Sequence, residues 1–147
     1  MTSLVDQMKK KKVNPQVVTV AVIERNGHVL IAKRKRGKMR AGNWEFPGGT
    51  LEEGETYKEC LKRELKEELT VTSEIGDLIC SNEYRYASDW TVKLMAYKAA
   101  IVSGSLNLHD HEDLRWVKPE DLIDYEFPEV DRPIIEWLVS KNGKPSK

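Results

Sequence analysis

Apolar residues fall into two rhythms along the chain. From Val17 to Ile23 the residues are β-branched and almost wholly apolar, as in a strand buried on both faces. Asn26–Gly27 marks a tight turn, and His28–Ala32 returns as a second strand. Arg40–Gly54 is rich in glycine and holds Pro47, which predicts a loop with a short strand at Trp44–Phe46. The rhythm then changes. Leu61, Leu65 and Leu69 recur every four residues, a helical stripe, and Thr56 followed three residues later by Glu59 is a capping box that starts it. The β-branched Thr70–Thr72 should end that helix. Leu78–Ala87 and Trp90–Val102 read as two strands joined at Ser88–Asp89, and Leu114–Val117 as a short one. Pro119–Leu122 reads as a helix start with proline in its first turn, and Pro133–Val139 as a final helix. Strands, one helix, more strands and then helices argue for an α/β fold, a mixed sheet with helices packed on it.

Size and charge narrow the possibilities. A chain of 147 residues fits one domain, expected over residues 13–141 between basic tails at 1–12 and 142–147. The run Lys9–Lys12 could contact nucleic acid or act in nuclear targeting, but a solvated tail accounts for it more simply. The 24 basic and 24 acidic side chains cancel, so no global field favours a nucleic-acid polymer or an anionic membrane. No stretch is apolar enough to span a bilayer, and Met1–Met8 has no apolar core or cleavage site of a secretory leader. Cys60 and Cys80 lack metal-like spacing and are expected to be reduced, packed thiols. A cytoplasmic protein is the expectation, with no membrane partner. Oligomeric state is left open.

The chemistry gathers on the first helix. At about 100° per residue, Glu68 falls about +40° and Glu67 about −60° from Glu64. Leu61, Leu65 and Leu69 lie at about +60°, +100° and +140° on the same wheel, so the acids border the buried stripe. Three carboxylates at this spacing repel one another. They form either a solvated face paired with Lys62, Arg63 and Lys66, or a site whose charge a bound cation offsets. An all-oxygen set suits Mg²⁺, Mn²⁺ or Ca²⁺ over zinc. The paired Gly48–Gly49 just upstream lets backbone approach a ligand closely, which favours the site.

Gly49, Glu55, Arg63, Glu64, Leu65, Glu67, Glu68 and Val71 together resemble the Nudix box, G-x5-E-x7-R-E-U-x-E-E-x-G-U, with U a bulky aliphatic residue. Thr70 stands where that pattern has glycine, which implies a different helix exit but touches no charged position. The flanks, Trp44–Gly49 and Asp110–Val117, are similar to the MutT-type branch, and the resemblance runs from about Val17 to Val139.

The resemblance implies an α/β/α sandwich around a mixed β-sheet and a divalent-cation-dependent hydrolase, with Mg²⁺ the expected ion and Mn²⁺ an alternative. It implies metal-binding and base roles for Glu64, Glu67 and Glu68, a further ligand in the Gly48 carbonyl, and an orienting role for Arg63, Glu55 and Gly49. Asp110 matches an acidic residue that ligates metal or helps the base, with Glu112 and Asp113 as competitors. Arg34 matches a phosphate-binding arginine, with Glu45 beside it in substrate binding, and Lys33, Lys35, Arg36, Lys38 and Arg40 could line the same mouth or serve as solubilising charge on an edge strand. Asp131 matches a base-reading position, or caps the last helix. Tyr84, Tyr86 and Trp90 could stack on a base or simply pack. The implied substrate is a small-molecule nucleotide: a (d)NTP, oxidised or CTP-like, cut to monophosphate and pyrophosphate. The alternatives are a pyrophosphatase of sugar nucleotides or dinucleoside polyphosphates, and a Nudix-fold binding module without turnover.

Overall fold

The computed structural model describes residues 15–35, 42–108 and 111–143. Asp110, Arg36, Lys38, Arg40, the tail expected at 1–12 and residues 144–147 of the tail expected at 142–147 lie outside the described residues.

The first strand, β1 (Gln16–Arg25), sits at the centre. At Asn26 and Gly27 φ is +52° and +77°, the paired left-handed geometry that lets a two-residue turn follow strand twist. β2 (His28–Arg34) returns antiparallel. β3 (Trp44–Glu45) and β4 (Gly48–Thr50) follow. β4 corrects the loop expectation: it pairs antiparallel with β1 through Val18↔Thr50, Thr19↔Gly49 and Val20↔Gly48. Two glycines in three residues hide such a strand from any propensity argument.

The helix α1 (Tyr57–Leu69) opens with the capping box, Thr56 Oγ1 accepting from Glu59 N and Glu59 Oε1 accepting from Thr56 N. β5 (Val71–Ala87) and β6 (Trp90–Gly104) form a long hairpin. β7 (His111–Val117) pairs with β2. Pro119–Asp124 forms a 3₁₀ turn, not the start of an α-helix, and a second 3₁₀ turn, Glu129–Asp131, leads into α2 (Arg132–Gly143).

β1 changes partners along its length. It runs parallel to β6 over Gln16–Ile23, and β4 lies on its other side. At Glu24–Arg25 it passes to β2, which is flanked in turn by β3 and β7. β2 is therefore interior, which corrects the edge-strand explanation of its basic residues. β5 stands at the end of the strand order, with register shifts at four places along its pairing to β6.

Alternation divides the core. Val18, Val20, Val22, Val29, Ile31, Leu94 and Ala96 pack with Ile134 and Leu138 of α2. Ala21, Ile23, Leu30, Met95 and Tyr97 pack with Leu61, Leu65 and Leu69 of α1. Burying each of those leucines contributes about 2 kcal/mol. One helix on each face of a mixed sheet is the α/β/α sandwich expected. Among the described residues no helix is long and apolar enough to cross a membrane.

Candidate active site

The site is built where α1 crosses β4. Glu64 points inward against Gly49, and a Cβ there would overlap the Glu64 carboxyl group, 2.7 Å from Oε1. Gly48 is equally constrained, since its Cβ would meet the Thr19 carbonyl. The paired glycines thus let a strand lie directly under an acidic side chain.

Burial follows the helical wheel. Glu64 and Glu68, nearest the leucine stripe, are 7% and 9% exposed, while the Glu67 side chain, turned furthest from it, is 40% exposed. Arg63 gathers the acids. Its Nε donates to Glu55 Oε2 at 2.5 Å and its Nη2 to Glu55 Oε1 at 3.0 Å, a bidentate pair. Nη1 donates to Glu64 at 2.8 Å and to Glu67 at 3.3 Å, and Nη2 also reaches the Thr50 carbonyl and Glu52. The hydrogen bond to Glu55 raises the Arg63 pKa further and holds the Glu55 carboxyl below its ordinary value. Burial pushes Glu64 up to about 7, against the neighbouring Arg63 charge and with repulsion from Glu67 and Glu52. Cys60, beneath this group, approaches Thr19 Oγ1 at 3.3 Å, and burial pushes its thiol up to about 11.

This donor set fits a hard divalent cation: clustered carboxylates over a glycine cradle, with oxygen donors only. Among the described residues, no three acidic, histidine or cysteine side chains converge closely enough to hold a metal by themselves. Mg²⁺ asks for only one or two carboxylates and completes its shell with water and phosphate oxygens.

Arg34 and Glu45 form a second group. Strand alternation places them: Leu30 belongs to the α1-side core, and Arg34, four residues on in the same strand, shares its face. Trp44 belongs to the α2-side core, so Glu45 faces the α1 side as well. Arg34 Nη1 donates to Glu45 Oε1 at 2.7 Å, and His111 Nε2 lies 2.6 Å from Glu45 Oε2. Burial works against ionising Glu45, but the His111 hydrogen bond and the Arg34 charge outweigh it and hold the carboxyl below its ordinary value. His111, Glu52 and Thr19 were not among the expected site residues. His111 had no visible signal, because the irregular pairing of β7 turns it toward Arg34.

Asp131 stands apart from these groups. It closes the second 3₁₀ turn, is 4% exposed, and lies near enough to Cys80 for its charge to raise that thiol, after burial. Asn82 Nδ2 donates to the Val130 carbonyl at 3.2 Å and ties the turn to β5. Cys80, Ala96, Val20 and Gly48 are register partners across β5, β6, β1 and β4. At about 4.8 Å per strand the row spans about 14 Å. Asp113 is committed to Arg115 at 3.0 Å, and Glu112 is exposed. Tyr84, Tyr86 and Trp90 form a staircase with centroids 4.8 and 4.9 Å apart, in which Tyr86 and Trp90 pack on the α2-side core.

The NUDIX domain model matches residues 13–138. The chain is 36% identical over 130 residues to the CTP pyrophosphohydrolase of Escherichia coli K12, covering 88% of this chain and 96% of that one. It is 37% identical over 119 residues to a putative 8-oxo-dGTP diphosphatase 2 of Mycobacterium tuberculosis, covering 80% and 83%. Among solved structures, the MutT protein of Methanosarcina mazei Go1 superposes with a TM-score of 0.76 at 25% identity, over 90% of this chain and 99% of that one.

Proposed function

The chain belongs to the Nudix family and is a hydrolase acting on nucleotides, and from that premise we propose that it cuts nucleoside triphosphates, CTP-like or oxidised, to a monophosphate and pyrophosphate. The observation that carries this is the glutamate cluster of α1, gathered by Arg63 over the Gly49 cradle.

Glu64, Glu67 and Glu68, with the Gly48 carbonyl, would hold Mg²⁺ or Mn²⁺. Asp110 keeps the metal or base role implied by its position in the chain. A bound divalent cation supplies neutralisation of phosphate oxygens and a lowered pKa for bound water. The chain's own residues do the rest. Arg63 and Glu55 fix the directions of the carboxylates. Arg34 offers its guanidinium to the phosphate chain, with Glu45 setting its angle. Asp131 reads the base; a carboxylate accepts from the exocyclic amine of cytosine or adenine. The row of register partners from Cys80, beside Asp131, to Gly48 gives that arrangement the length scale of a nucleotide with its phosphates extended.

The test is a turnover panel of normal and oxidised NTPs and dNTPs, sugar nucleotides and dinucleoside polyphosphates, with and without Mg²⁺. Glu67→Gln and Glu68→Gln serve as controls. Metal-dependent pyrophosphate release from a nucleoside triphosphate, lost in both controls, is the expected result. A preference for a sugar nucleotide or dinucleoside polyphosphate would refute the substrate assignment. Asp131→Ala should reorder the bases; a change in stability alone would make Asp131 a helix cap.

A further inference from the structure

Arg34, Glu45 and His111 come from three adjacent strands, β2, β3 and β7, and meet through one carboxylate. Each Glu45 oxygen has its own partner: Oε1 takes Arg34 Nη1 at 2.7 Å and Oε2 takes His111 Nε2 at 2.6 Å. His111 is 4% exposed, and its Nδ1 is buried with no hydrogen-bond partner among the described residues. An ionised Glu45 can only accept, so the proton of this contact sits on Nε2.

The side chain reaches Glu45 by a departure from regular pairing. Val117 packs in the α2-side core and Leu114 against the α1-side core, so plain alternation would turn His111 to the α2 side. Pairing runs Lys33↔Asp113 and then Arg34↔His111, so β7 carries one extra residue opposite that step. Such a bulge re-aims the side chain beyond it. A buried imidazole with one nitrogen unsatisfied costs stability that an apolar residue would not.

We propose that His111 is a positioning residue: by holding the second oxygen of Glu45 it fixes the direction in which Arg34 presents its guanidinium to the phosphate chain. The inference rests on the phosphate role proposed above for Arg34. A carboxylate held through one oxygen can swing about its last bond, whereas one held through both cannot, and the guanidinium bonded to it follows.

Steady-state kinetics on Arg34→Ala, His111→Leu, His111→Gln and the Arg34→Ala/His111→Leu pair, each with a thermal unfolding curve, test this on the full chain with the best triphosphate substrate. Arg34→Ala should raise KM by about tenfold or more, as loss of a charged hydrogen bond does. His111→Leu should raise KM by about fivefold with kcat within about twofold, and should add almost nothing once Arg34 is gone. His111→Gln, whose amide N–H can reach the same carboxylate, should recover most of the loss. If Arg34→Ala raises KM but His111→Leu does not, or the two effects multiply, the inference is overturned and the phosphate role stands. If Arg34→Ala leaves KM unchanged, the phosphate role falls and takes the inference with it. Should His111→Leu fail to fold, His111→Asn, polar but too short for Glu45, is judged by the same criteria.

Discussion

Thr70 ends α1 in the left-handed conformation, φ 60° and ψ 34°, so the helix leaves as it would through glycine and not by the different exit expected. For a β-branched residue that costs about 1–2 kcal/mol relative to glycine. The hydroxyl offsets it. Oγ1 lies 2.6 Å from the Leu69 carbonyl and 2.8 Å from that of Ser105, and accepts from Asn107 Nδ2 at 2.9 Å. One hydroxyl hydrogen serves one carbonyl at a time, so the group makes one donated and one accepted bond, each contributing about 1 kcal/mol net. Thr70→Ala keeps the strain and loses both bonds, and should cost about 2 kcal/mol. Thr70→Gly loses the bonds and the strain together. After the greater freedom of glycine in the unfolded chain is counted, it should be about 1 kcal/mol more stable than Thr70→Ala. For a domain of this size that separation is about 2–4 °C in Tm. Urea unfolding of the three proteins, with m unchanged, gives the comparison directly. Thr70→Ala equal to or above Thr70→Gly would refute the strain argument. Thr70→Ala equal to the parent would show that the hydroxyl contributes nothing.

Two further outcomes are expected. Gly49→Ala would drive a methyl into the Glu64 carboxyl group, so kcat should fall by about a hundredfold, as for an ångström of misplacement, and a variant keeping more than a tenth of the parent rate would contradict the cradle. Between the ordinary carboxyl value of 4.5 and about 7, Glu64 in the metal-free folded chain holds a proton that the unfolded chain releases, so the stability this gives is complete below 4.5 and is lost as pH rises through 7. The loss, about 3 kcal/mol, should show as a falling Tm in chelator and vanish in Glu64→Gln; an identical slope in that variant would place its origin elsewhere.

Much of this molecule is legible in its sequence. The leucine stripe, the capping box and the wheel position of the three glutamates were enough to set the acids along the border of the buried stripe, because helical periodicity converts spacing into direction. Strands with β-branched runs were equally plain. What escaped was set by long-range pairing. β4 is two glycines and a threonine held by β1, with no local preference for extension. β5 begins at Val71, well before Leu78, because β6 continues alongside it to Gly104. His111 could not be placed by alternation, since the irregularity that turns it belongs to the pairing of two strands and leaves no trace in either alone.

The broken register of β5 bears on how the molecule keeps its own company. A strand of 17 residues at the end of a sheet offers a row of backbone donors and acceptors to any passing chain. A visiting strand must match the repeat of its host, and here the host loses step four times, between Thr72 and Ser73, Ile75 and Leu78, Leu78 and Cys80, and Arg85 and Ala87. Each misstep twists the rim and interrupts the template, and Glu74, Asp77, Glu83 and Arg85 add charge along it. Straightening those irregularities would make the protein prone to aggregate through that rim.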